Sequence, residues 1–109
     1  MDRHKPQPMD RELFQKEVIE NKKTCLICFM APWSEPSREM EDTIVEVTHL
    51  WYGTVPVYVI DPDEEPFIMD KYSVAAVPAY IMFKNGEPGP KVVGIRTAEQ
   101  INNYVASSM

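Results

Sequence analysis

Ala31-Pro32-Trp33-Ser34-Glu35-Pro36-Ser37 joins two segments of different periodicity, and its reading decides the fold. Upstream, Thr24-Cys25-Leu26-Ile27-Cys28-Phe29-Met30 is a short, almost continuous apolar run, the pattern of a strand covered on both faces. Downstream, Met40, Ile44, Val47 and Trp51 recur at intervals of four, three and four, so residues 36–52 read as the longest helix. Gly53 follows as a left-handed residue past the helix end, and residues 55–60 supply a second apolar run of strand length. A right-handed β-α-β crossover is the natural topology.

The pattern extends outward in both directions. Residues 9–20 read as an amphipathic helix capped by Asp10, with Leu13, Phe14, Val18 and Ile19 on one broad face. Residues 65–72 suit a short helix, and 79–84 form a strand entering a hairpin at Asn85-Gly86. Pro88 and Pro90 lack amide donors, which assigns them to a loop and leaves 91–93 as a blunted edge strand. Thr97 with Gln100 resembles a capping box, and Ile101, Tyr104 and Val105 make the inward stripe of a closing helix. The predicted order is αβαβαββα: an α/β fold with a central mixed sheet flanked by helices on both faces.

At 109 residues the chain fits one domain with one core, read as 9–109 behind a flexible tail at 1–8. No apolar run approaches the roughly 18 to 20 residues of a membrane span. The tail is charged and proline-rich with no apolar centre, so no secretory signal is expected and the cytoplasm is the expected location. A net charge of −6, with Asp61, Asp63, Glu64 and Glu65 in one loop, would repel a phosphate backbone, which excludes nucleic acid and leaves a solvated acidic loop. Two cysteines and two scattered histidines are too few for a disulfide scaffold or a four-ligand zinc site; no metal and no cofactor are expected.

The heptapeptide resembles the thioredoxin family, whose Trp-Cys-Gly-Pro-Cys motif opens the same long helix. Further landmarks agree over about residues 10–107: Val77-Pro78 at the family's cis-proline, Phe83 and Asn85-Gly86 after it, and Gly94 at the late glycine. The resemblance implies the thioredoxin fold, dithiol–disulfide exchange and electron transport, protein disulfide substrates, a thioredoxin-reductase-type partner and a monomer. It also implies a shallow substrate groove built from Trp33, Glu35, Pro36, Val77, Pro78 and Gly94.

In the family's chemistry a cysteine at the first helical turn is held as thiolate, and a second three residues on resolves the mixed disulfide. Ser34 occupies the attacking position and Ser37 the resolving one. Hydroxyls form no disulfides, so the expectation is an oxidoreductase rendered redox-inactive, a Cys-to-Ser variant lacking the redox pair. The alternative is a naturally redox-dead binding or scaffold protein that uses the cis-proline groove. A serine hydrolase is excluded because His49 lies twelve residues beyond Ser37, about 18 Å along a helix.

Cys25 and Cys28 have redox-motif spacing but lie within the strand, where side chains three apart point to opposite faces, so they read as buried small hydrophobes. By resemblance, Cys28 and Val57 stand at the family's buried aspartate and lysine positions. Losing both charges together leaves an apolar, self-consistent core. Asp42, where the family often has a kinking proline, and Ala79, after the cis-proline, also depart from its pattern.

Overall fold

β2 (Cys25–Phe29) is buried along its whole length at the centre of the sheet. The structure is a computed structural model that describes residues 4–109. β2 pairs in parallel with β3 (Val57–Ile60) and antiparallel with β4 (Ala79–Lys84), so its apolar run has backbone partners on both sides. β1 (Gln7–Pro8) adds to β3 in parallel, while β5 (Glu87–Pro88) and β6 (Val92–Val93) share the outer edge of β4. The sheet is therefore mixed, in the order β1-β3-β2-β4-β5.

Alternation along the strands divides the core. Cys25, Ile27 and Phe29 pack on one face with Phe14, Val18, Tyr58, Ile68 and Phe83. Leu26 and Cys28 pack on the other with Met40, Ile44, Val47, Tyr80, Ile101 and Val105. The first face is covered by α1 (Arg11–Phe14), the π-helical turn Gln15–Glu20 that continues it, and α4 (Pro66–Lys71). α3 (Glu41–Trp51) and α5 (Ala98–Ser107) cover the second. This is the predicted class, a mixed sheet with helices on both faces. Burying each large aliphatic side chain contributes about 1.5–3 kcal/mol, which makes these two layers the main stabilising term.

Local chemistry sets the helix starts. Asp10 Oδ1 accepts the Leu13 amide at 2.8 Å, and Thr97 with Gln100 forms the full capping box. Three details differ from the sequence reading. Gln7–Pro8, within the segment read as tail, forms β1, and Met9 N continues the pairing by donating to Val59 O at 2.8 Å; residues 1–3 lie outside the described residues. The long helix divides into α2 (Glu35–Glu39) and α3 at Met40, whose amide bonds back only three residues, to Ser37 O. Pro88, read as loop, stands in β5 on the sheet edge, where a missing amide leaves no ladder bond unmade on the solvent side. Among the described residues no helix is long and apolar enough to cross a membrane.

Candidate functional site

Strand register brings three distant segments to one end of the sheet. Phe29 pairs with Ala79, and Ala79 pairs with Val93. The chain that leaves β2, the turn that enters β4 and the residues after β6 therefore converge. These are residues 31–37, Val77–Pro78 and 94–96.

The first segment is closed by its own hydroxyls. Ser34 caps α2, its Oγ accepting the Ser37 amide at 3.3 Å. Ser37 Oγ in turn accepts the Ala31 amide at 3.2 Å. Both serines are buried, at 6% and 2% exposure, so each hydroxyl is committed to a backbone donor. Arg38 Nη1 donates to Pro32 O at 2.9 Å and draws the loop against the helix. Trp33 is 64% exposed, yet its indole N–H donates to Asp63 Oδ2 at 2.6 Å, and Asp63 is itself turned by its amide donating to Asp61 Oδ1. Glu35 and Pro36 are exposed on the first turn.

The other two segments are tied together. The Val77–Pro78 peptide is cis, Pro78 is buried and Val77 is half-buried. Gly94 donates its amide to Pro78 O at 2.8 Å, and its carbonyl accepts the Tyr80 hydroxyl at 3.0 Å. At φ +97° Gly94 sits where a side chain is strained by the backbone conformation itself. Val93 and Ile95 are exposed on either side of it.

The sequence-predicted groove residues Trp33, Glu35, Pro36, Val77, Pro78 and Gly94 thus lie on these converging segments. Four further residues on or bonded to these segments escape the sequence reading. Asp63 was legible only as one of a run of acids, because no local pattern links it to a tryptophan thirty residues away. Tyr80 read as one more apolar strand position, Val93 as the end of a blunted edge strand, and Ile95 carried no signal of its own.

Cys25 and Cys28 lie elsewhere. Both are free, fully buried, and in different core layers on opposite faces of β2. Burial pushes the Cys25 thiol up to about 12, with the nearby Lys23 opposing, and burial alone also raises the Cys28 thiol. Val57 shares the Cys28 layer, so the positions aligned with an acid–lysine pair form continuous apolar packing. Among the described residues no three His, Cys, Asp or Glu side chains are placed to hold a metal ion.

A sequence model described as Thioredoxin matches residues 5–107. Thioredoxin Y1, chloroplastic, of Arabidopsis thaliana is 30% identical over 96 residues, covering 88% of this chain, which spans 56% of that protein's length. Thioredoxin of Pyropia yezoensis is 30% identical over 97 residues, covering 85% of this chain and 91% of its own. A solved structure, the N21Q mutant thioredoxin from Halobacterium salinarum NRC-1, superposes with a TM-score of 0.82 at 23% identity, covering 94% of this chain and 89% of that one.

These findings correct the reading built on Ser34 and Ser37. The chain does hold a Cys-Xaa-Xaa-Cys pair, Cys25 and Cys28, as two free thiols, so it is not a chain without its cysteine pair. At 30% identity it differs from these relatives at most aligned positions, so two serines do not mark an active-site Cys-to-Ser variant or a Cys-to-Ser inactivated oxidoreductase. The expectation weighed two motif positions against the whole chain, and the whole chain carries the assignment. With the model matched over residues 5–107 and the fold shared, the chain belongs to the thioredoxin family.

Proposed function

We propose that this thioredoxin-family domain recognises extended segments of partner proteins in the groove between Trp33, the Val77–Pro78 turn and Gly94–Ile95. The observation that carries the reading is Trp33: a large aromatic held 64% exposed by a 2.6 Å bond to Asp63, beside the converging turns. Tryptophan fixed in advance at a surface is a favoured anchor for binding, because its ordering cost is met before the partner arrives. Val93 and Ile95 extend the apolar wall, and Glu35 and Pro36 in the first turn of α2 form its rim. A partner strand laid beside the cis-proline turn would add main-chain hydrogen bonds, which tolerate many sequences.

Its partners are redox proteins of the thioredoxin type in the general sense, among them disulfide-bearing substrates and a thioredoxin-reductase-type protein. A reducing compartment such as the cytoplasm suits a domain with two free thiols. Exchange through Cys25 and Cys28 would follow opening of β2, since each thiol lies under a different layer of the closed fold.

An unfolded, thiol-blocked protein chain serves as probe, with affinity read from fluorescence anisotropy. Trp33→Ala should weaken binding by about 30-fold, the loss of one hot-spot side chain. Leu50→Ala, which removes an equally exposed apolar residue from the far end of α3, should leave it unchanged. Wild-type affinity in Trp33→Ala would remove the proposal.

A further inference from the structure

Tyr80 is buried along its whole length, yet its hydroxyl bonds a turn that lies beyond the sheet. The ring packs beneath the sheet in the layer of Cys28, its direct partner across β2 and β4. The hydroxyl then reaches the outer turn and donates to Gly94 O at 3.0 Å. Gly94 N is held by Pro78 O, so both backbone groups of this glycine are bound, one by the cis-proline turn and one by the core. Two residues on, the Arg96 amide donates to Met40 Sδ at 3.5 Å, a weak sulfur acceptor from the start of α3. The segment 94–96 is thereby fastened to the interior at two points as well as to its neighbouring turn.

We infer that Tyr80 is a positioning residue for the groove, its buried hydroxyl fixing the Gly94 carbonyl and hence the wall that Val93 and Ile95 present. This rests on the recognition reading above and names a determinant of that same site. Gly94 has no side chain to anchor it and occupies a left-handed conformation. An external bond is what selects one arrangement of a residue with so much backbone freedom. Without the hydroxyl the carbonyl can turn toward solvent, and the ordering of 93–95 becomes a cost of binding rather than a property of the free domain.

Tyr104 supplies a matched control. Its hydroxyl also joins backbone groups, accepting from Met82 N at 2.9 Å and donating to Pro90 O, but toward the hairpin end of β4 and away from the groove. Tyr80→Phe and Tyr104→Phe each delete one hydroxyl and keep the ring. The two are compared by affinity for the thiol-blocked unfolded chain and by hydrogen exchange of the Gly94 amide. Tyr80→Phe should weaken binding about fivefold, the value of one net hydrogen bond, and speed Gly94 exchange by a similar factor, whereas Tyr104→Phe should change neither. Met40→Leu, which removes only the sulfur acceptor, should give the Tyr80→Phe pattern at smaller amplitude. Unchanged affinity and exchange in Tyr80→Phe, or equal losses in both tyrosine variants, would overturn the assignment. Faster Gly94 exchange in Tyr80→Phe with no binding by the parent domain would remove the recognition reading and leave Tyr80 as the residue that positions this turn.

Discussion

Two neighbouring segments of this chain carry like residues at the same spacing, Cys25 with Cys28 and Ser34 with Ser37, and the backbone makes them opposites. On β2 three residues advance the side chain to the other face of the sheet, so the thiols lie in separate core layers. On the first turn of α2 the same step brings the second residue's amide back to the first side chain, and Ser34 Oγ accepts from Ser37 N. The strand pair is sealed and chemically quiet in the closed fold. The helical pair organises a loop beside an exposed tryptophan. A two-residue gap between like residues has no chemical meaning until the period of the backbone beneath it is known.

The largest test of the comparison places a charge in the strand. Cys28→Asp would bury a carboxylate in a layer where Val57 offers no counter-charge, and should lower stability by about 3–5 kcal/mol in denaturant titration. A loss below about 1 kcal/mol would mean that the layer admits water or a partner charge.

A smaller effect comes from pH. Burial holds Cys25 at about 12 against an ordinary value of 9.0 and also raises Cys28. Above about pH 9 the unfolded chain releases these protons while the folded one keeps them, so stability present below pH 9 is lost as pH climbs toward 12. The fall should be at most about 1.4 kcal/mol per pH unit per thiol. Burial raises Tyr58, Tyr72, Tyr80 and Tyr104 in the same direction from 10.0, so Cys25→Ala should flatten only the earliest part of the fall. Thermal melts between pH 8 and 10 check this; an unchanged slope in Cys25→Ala would place that thiol in contact with water.

On the helical side the changes are modest. Ser34→Ala removes a cap and should cost about 1 kcal/mol, and Ser37→Ala leaves the Ala31 amide without its acceptor at about 1–2 kcal/mol. Equal and negligible effects would show that the loop is held by packing alone.

Much of this architecture is legible along the chain because it is written in short-range pattern. The apolar run of 24–30, the four-three-four stripe of the long helix, Asp10, and Thr97 with Gln100 each report their own element. The cis Val77–Pro78 turn was reached only through family resemblance, since the local residues do not distinguish cis from trans. What escaped is long-range or edge-dependent. β1 depends on an open side of β3 that a proline-rich tail does not announce, and Pro88 is tolerated in β5 only because that strand has a free edge. Trp33 with Asp63 and Tyr80 with Gly94 join residues thirty and fourteen positions apart, and no periodicity encodes such bonds. The reading of Ser34 and Ser37 as Cys-to-Ser changes failed for another reason: it judged a divergent chain by two motif positions.

The measurement that bears most directly on the central claim is a map of backbone amide shifts as the thiol-blocked unfolded chain is added to the isotope-labelled domain. Changes should centre on Trp33, Val77, Gly94 and Ile95, with Leu26–Cys28 unmoved inside the sheet. Changes centred on β2, or spread over the helices while residues 33, 77 and 94–95 stay fixed, would contradict the assignment of recognition to this groove.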